Sequence, residues 1–287
     1  MTELETVKRL TGVDDETRIV KSDIGWTSRA YVIDNGKIVF KFPRNAKFRE
    51  ACRNEVVALK LLQSRPFCLR VPILNWTIED NSYFGYYGVE GKPLREVIAN
   101  LSDQQKIEIG TQTGLFLRQL HEITDYGDIK AQTLEEQALE YQNLYRAGKN
   151  LLTGFYNETE LGRIDSFFAH EVPQCMVGTN ELVFCHGDLD YNNTLVDSQN
   201  QVGVIDFGDV GLYDRSQDFR GMDDEILRNA MLQAYGGDGV ISKAAAETTS
   251  KMIDVLNLIY CLENSYFDGV DNVENCLKQV RQKLLKN

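Results

Sequence analysis

The sequence holds only three histidines, His121, His170 and His186, which excludes a histidine-rich metal site. Its six cysteines (Cys52, Cys68, Cys175, Cys185, Cys261, Cys276) are scattered, with no CxxC pair. In a chain too long to need disulfide staples, this pattern predicts reduced core thiols that neither catalyse nor bind metal. No apolar run approaches the roughly 20 residues of a membrane span. The opening "MTELETVKRLTGVDDETRIV" also lacks an apolar leader core, so a soluble, cytoplasmic protein without a membrane partner is expected. Lysine and arginine form no block, and 43 acidic against 31 basic residues give a net charge of −12. Nucleic acid is thereby excluded as a partner, because binding it rests on neutralising phosphates; an acidic pocket would instead attract a cationic small molecule. GxxxxGK[ST], HExxH, GxSxG and a strand-GxGxxG-helix unit are all missing, as are internal repeats and low-complexity segments.

What is present is ordinary globular composition, 43% hydrophobic and 26% charged over 287 residues, enough for one large domain or two lobes. "TRIVKSD", "SRAYVID" and "KIVFKFP" read as three antiparallel strands, with a hairpin turn at "DNG", Asp34 to Gly36, where Asn-Gly tolerates positive φ. Val56, Leu59 and Leu62 then recur at helical spacing. Two more strands are predicted on either side of Asp80 to Ser82. Beyond a short link near residues 88 to 92 the character turns helical, and Ser102 with Gln105 forms a capping box. Among these helices, "TLVD" and "VGVIDF" read as a small hairpin. The organisation is a strand-rich lobe over residues 1–88 and a mostly helical lobe over 89–287, an α+β fold. Tyr260, Tyr266 and Phe267 read as core aromatics or pocket lining.

The chemistry concentrates at residues 183–209, where five carboxylates, three asparagines and His186 are interleaved with strand-forming residues. Asp188 lies in "HGD", Asn193 follows five residues later, and Asp206 in "IDFGD" thirteen beyond that. If the hairpin pairs, Asn193 and Asp206 lie at one end of it and offer a hard cation oxygen ligands, as magnesium prefers. Asp188 is then left to orient, and to deprotonate, an attacking hydroxyl. This is the spacing of a kinase catalytic loop and its DFG. Such a site further requires a strand lysine and a helix glutamate, and Lys41 in "VFKFP" and Glu55 in "RNEVVALKLL" meet the need. A buried ammonium there needs a partner, which Glu55 can supply while Lys41 reaches phosphate oxygens. Val39 shares the face of Lys41 by the period of two and should touch the adenine edge.

With "HGDLDYNN", "IDFGD", "FKFP", "NEVVALKLL", "GKPL", "FLRQLHEI" and "DRSQDF", the chain resembles the aminoglycoside phosphotransferase family, relatives of the protein kinases. It is most similar to the 2''-phosphotransferase branch in "FKFP" and in the acidic stretch after "IDFGD". The resemblance implies a two-lobed kinase-like fold, with a nucleotide-binding lobe over 1–88 and the catalytic loop and acceptor-binding helices over 89–287. It implies Asp188 as the catalytic residue facing the acceptor hydroxyl, Asn193 and Asp206 as Mg2+ ligands, and Lys41, fixed by Glu55, on the phosphates of ATP or GTP. Gly25 and Ser28 would approach those phosphates. The backbone of Tyr87 to Val89 would read the base, Leu195 and Ile205 would floor the pocket, and His186 would brace the loop. Asp190, Asp223, Asp224, Glu225 and Glu263 would receive the ammonium groups of an aminoglycoside. The alternatives keep the site and change its use: a kinase of choline, a macrolide or homoserine, or a nucleotide-binding pseudoenzyme.

Overall fold

The structure, a computed structural model, describes residues 2–23, 25–130, 133–177, 182–237, 240–241, 243–265 and 272–285. In chain order its elements are α1 (Glu3–Thr11), β1 (Ile19–Ser22), β2 (Ser28–Ile33), β3 (Ile38–Pro43), α2 (Arg49–Gln63), β4 (Ile73–Thr77), β5 (Phe84–Tyr87), β6 (Lys92–Pro93), α3 (Leu94–Val97) and α4 (Asp103–His121). There follow α5 (Leu134–Gly148), α6 (Glu158–Ser166), α7 (Val172–Val177), β7 (Val183–Cys185), β8 (Thr194–Val196), β9 (Val202–Val204), β10 (Gly211–Tyr213), α8 (Glu225–Tyr235), α9 (Lys243–Glu263) and α10 (Val273–Val280). Among the described residues no helix is long and apolar enough to cross a membrane.

The first five strands form one antiparallel sheet in the order β1-β2-β3-β5-β4. The "DNG" turn takes positive φ at all three residues, 46°, 56° and 98°, and joins β2 to β3 in a register that pairs Ala30 with Lys41. The period of two then sorts the faces. Tyr31, Ile33, Phe40 and Phe42 build a core with Val7 of α1, so Val39 and Lys41 point to the opposite face. Helix α1 went unread in the sequence although its signal was there: Thr2 and Glu5 form a capping box, and Gly12 at φ 68° closes the helix. On α2, Val56, Leu59 and Leu62 are buried as the spacing predicted, together with Glu55.

Packing divides the chain into a first unit of Met1–Lys130, Phe184–Gly211 and Gly221–Gly237, and a second of Ala131–Val183, Leu212–Arg220 and Asp238–Asn287. This division by compactness does not coincide with a border at residue 88, and hydrogen bonds supply the reason. The hairpin β8–β9 joins β6 in a three-stranded sheet. Its Val204 N–H also donates to the carbonyl of Arg70 at 2.9 Å, so the N-terminal segment holds the hairpin directly. In the same unit α4, opened by the predicted Ser102–Gln105 capping box, lies against α8 with Gly110 and Gly114 at the seam. A Cβ on either would stand 2.3 Å from the carbonyl oxygen of Leu227 or 2.2 Å from that of Met231.

The second unit is helical. Tyr145 stacks on Phe168 with centroids 4.1 Å apart, Lys283 pairs with the buried Asp254 at 2.9 Å, and buried Asp214 accepts the Ser216 N–H at 2.9 Å. Cys52, Cys185, Cys261 and Cys276 are buried thiols as expected, but Cys68 is exposed. Its place explains the difference: it sits in the turn after α2, held by its own N–H to the Gln119 side chain at 2.9 Å rather than by packing. Tyr260 is half-buried. Tyr266, Phe267 and the side chain of Cys175 lie outside the described residues.

Candidate active site

The sheet supplies a lysine and α2 supplies its partner. The ammonium of Lys41 lies 2.7 and 2.9 Å from the two carboxylate oxygens of Glu55 and 2.7 Å from Oδ1 of Asp206. Lys41 is 7% and Glu55 2% exposed, whereas the Asp206 side chain keeps 48% of its surface. The two acids therefore respond differently to one cation. Burial pushes the Glu55 carboxyl up to about 7, with Lys41 opposing and Asp206 adding to the rise. Burial also acts to raise Asp206, but there the Lys41 charge and its hydrogen bond prevail, and its pKa is lowered. For Lys41 the desolvation cost is outweighed by its two carboxylates, and it stays a cation. The sequence did not place two buried neighbours beside this cluster. Tyr86 faces the cluster from β5, opposite Val39. Cys52, one turn before Glu55, has its thiol pushed up to about 12 by burial, which makes it inert.

The hairpin pairs as predicted, Thr194 with Val204 and Val196 with Val202, and its turn is held by Asp197, which accepts the N–H groups of Gln199 and Gln201. The Ile205 N–H donates to the Asn193 carbonyl at 3.0 Å, so Asn193 and Asp206 flank the same end. Asp206 leaves the strand at φ 64°, ψ 70°, a left-handed conformation that aspartate tolerates better than most residues. Asn193 donates its amide nitrogen to the carbonyl and to Oδ2 of Asp188, at 2.8 and 3.2 Å. Its amide oxygen is the group that remains for a cation. Neutral and anionic oxygen donors, with no sulfur or imidazole among them, suit a hard divalent cation such as Mg2+.

The loop that carries Asp188 is fixed from inside. His186 accepts the Asp188 N–H on Nδ1 at 3.3 Å and donates from Nε2 to the Ile205 carbonyl at 3.0 Å. Both ring nitrogens are thus engaged with backbone. Asp190 accepts the N–H groups of Asn192 and Asn193 on Oδ1, at 2.8 and 3.0 Å, and the Asn192 amide on Oδ2 at 2.9 Å. Both its oxygens thus accept from the loop that follows it.

The remaining predicted positions fall as follows. Gly25 is exposed in the turn between β1 and β2, and its carbonyl accepts from Arg44 Nε at 2.7 Å. Ser28 is buried at the start of β2, and Val39 is half-buried on the Lys41 face. Tyr87 is exposed at the end of β5; Gly88 next to it donates to the Lys37 carbonyl at 2.9 Å, and Val89 packs beside Gly203. Leu195 is buried in the middle of β8, opposite Gly203, and Ile205, just after β9, is half-buried. Asp223 and Glu225 are exposed. Asp224 is not free: its carboxylate caps α8 through the Leu227 N–H at 3.1 Å and pairs with Lys106 at 2.6 Å. Glu263 is exposed at the end of α9, in the second unit.

A β-sheet with one buried lysine–glutamate pair, followed by a braced loop and a hairpin that ends in Asp206, defines a kinase-like fold. The model of the phosphotransferase enzyme family (APH) matches residues 19–240, and the chain belongs to that family. Solved structures of the same fold include the GDP complex of wild-type aminoglycoside 2'-phosphotransferase-IIIa, 18% identical with a TM-score of 0.79 over 99% of each chain. The GDP and kanamycin complex of APH(2")-IIia is 19% identical, TM-score 0.79, over 100% of each chain. Macrolide 2'-phosphotransferase MphH from Brachybacterium faecium is 19% identical, TM-score 0.67, over 98% of each.

Proposed function

We propose that this phosphotransferase moves the γ-phosphoryl group of ATP or GTP to a hydroxyl of an aminoglycoside. The carrying observation is the joint geometry of Lys41, Glu55, Asp206, Asn193 and Asp188, which assembles a phosphate-facing cation, a hard-metal donor pair and a braced carboxylate. Asp188 accepts the proton of the attacking hydroxyl as its oxygen bonds to the γ-phosphorus, and the bond to the β-phosphate oxygen breaks to release the nucleoside diphosphate. Lys41, held by Glu55, stabilises charge on the phosphate oxygens. Asn193 and Asp206 would hold Mg2+, which when bound neutralises the phosphates. The Gly25–Ser28 turn would cover the phosphates, the Tyr87–Val89 backbone would receive the base over Leu195 and Ile205, and Val39 would touch its edge.

The acceptor class rests on acidity. Asp223, Glu225 and Glu263 are exposed carboxylates suited to ammonium groups, while Asp190 and Asp224 scaffold the acceptor side. Solved relatives of the fold carry kanamycin, gentamicin and streptomycin in their complexes. The second reading, a macrolide or other small alcohol as acceptor, is favoured by the macrolide phosphotransferases among the structural neighbours. A phosphoryl-transfer screen of aminoglycosides, macrolides and choline, each with ATP and GTP, separates them. Phosphorylation of aminoglycosides is expected; turnover confined to macrolides or choline overturns the proposal.

A further inference from the structure

Two thiols of the second unit stand against each other. Cys261 lies near the end of α9 and Cys276 on α10, and their sulfurs are 3.9 Å apart, close enough for one thiol to donate to the other. Both are reduced and buried. The two helices pack together: Cys276 shares the buried face of α10 with Val273 and Val280, and Val255, Leu258 and Ile259 are buried on α9 with Cys261.

A single buried cysteine behaves as a small hydrophobe, and an alanine or valine would fill either place. Two in contact across a pair of helices differ chemically, because the loss of two electrons joins them. A disulfide holds its sulfurs at about 2.05 Å, so the gap has to close by about 2 Å, which small rotations of the two side chains supply. Beyond Cys276 the chain is held largely by exposed contacts. Arg281 donates to the Phe155 carbonyl at 2.8 Å, and Arg163 to the Leu285 carbonyl at 2.8 Å. With only 8 residues, α10 opens locally at less cost than global unfolding, which admits a small oxidant.

We propose that Cys261 and Cys276 form a dithiol modification site, which hydrogen peroxide converts to a disulfide that staples α10 to α9. Cys276, 4% exposed against 0% for Cys261, is the thiol that peroxide reaches. Its sulfur attacks one peroxide oxygen, the O–O bond breaks, and the other oxygen leaves as water, giving a sulfenic acid. Cys261 then attacks that sulfur; the S–S bond forms and the sulfenic oxygen leaves as a second water, taking up the remaining thiol proton. Two thiols and one peroxide thus give one disulfide and two waters, and a dithiol reductant reverses the change. The site is independent of the acceptor that the phosphotransferase takes.

The test treats the reduced protein with hydrogen peroxide, blocks further exchange, and maps the peptides by mass spectrometry. A cross-linked pair carrying Cys261 and Cys276, lighter by two hydrogens and separated by dithiothreitol, is expected. Because the bond closes 15 residues of chain, the oxidised protein should unfold about 5–10 °C higher than the reduced one. The same treatment of Cys276→Ser should give no rise. Each protein is compared with itself before and after oxidation, so a variant that starts less stable still reports. Recovery of the two cysteines uncoupled, over-oxidised to sulfinic or sulfonic acid, or bonded instead to the exposed Cys68 overturns the proposal. A cross-link without a rise in the midpoint, or a rise that persists in Cys276→Ser, overturns it equally.

Discussion

Lys41 and Asp206 stand 165 residues apart in sequence and 2.7 Å apart in space. One ammonium therefore serves a fully buried glutamate and a half-exposed aspartate at once. Removing the lysine strands Glu55 in the interior. Lys41→Met should destabilise the protein by about 3 kcal/mol at neutral pH, as breaking one side of a buried ion pair does. The folded-state pKa of Glu55 is raised above its ordinary 4.5 to about 7. Its contribution to stability is thus full below the unfolded value and is lost as pH rises through the folded one. The deficit of the variant should be smallest near pH 4.5 and grow towards pH 8; urea unfolding across that range checks it, and a pH-independent deficit would contradict the assignment.

Asp188 and Asp206 should separate cleanly in assays. Asp188→Ala should lower kcat by about 10²- to 10⁴-fold, the range of a positioned acid or base, with nucleotide affinity retained. Asp206→Ala should abolish the magnesium dependence of nucleotide binding, read by calorimetry with and without the metal. Normal turnover in the first variant, or unaltered metal dependence in the second, would refute these roles.

His186 spends both nitrogens on backbone, one at Asp188 and one at Ile205. Its replacement by Ala should therefore slow turnover by loosening the loop and cost about 1–3 kcal/mol for the groups left unpaired. The pH–rate profile should keep its shape; loss of a limb would make the imidazole a reacting group.

Asp224 caps α8 and pairs with Lys106, and although burial raises its pKa, those hydrogen bonds and that charge hold it below the usual 3.8. A depressed carboxylate lends stability above its unfolded pKa and loses it as pH falls. Asp224→Ala should cost about 1 kcal/mol at pH 7, the worth of an N-cap, and progressively less at an acid pH below 3.8, as the folded carboxylate protonates. Thermal unfolding at the two pH values tests this.

How far the sequence could be read depended on the kind of contact. The β8–β9 hairpin, the Lys41–Glu55 pair and the capping box of α4 were legible because each is a local spacing or a strand-and-helix pattern. The α1 helix was equally local, with Thr2 and Glu5 in view, yet it went unread. The sharing of Lys41 with Asp206, the Lys106–Asp224 pair across 118 residues and the hydrogen bond from the Asp224 N–H to the Tyr191 hydroxyl were not legible, because tertiary packing alone brings those residues together. Of the five acids read as acceptor ligands, Asp190 also holds its loop and Asp224 also caps α8, contacts that spacing alone did not announce.

The glycine seam between α4 and α8 has a consequence for how such a site changes over time. Where a helix carbonyl rests directly on a neighbour's Cα, the pair can neither slide nor rotate without collision, and even one added methyl at Gly110 would force an adjustment costing about 1–3 kcal/mol. The helix that begins at the acidic stretch is thereby keyed to the body of the protein like a blade in its slot. Under the proposed function, new acceptor preferences would then arise from exchanging side chains at and just before the start of that blade, at positions such as 223 and 225, and not from moving the blade.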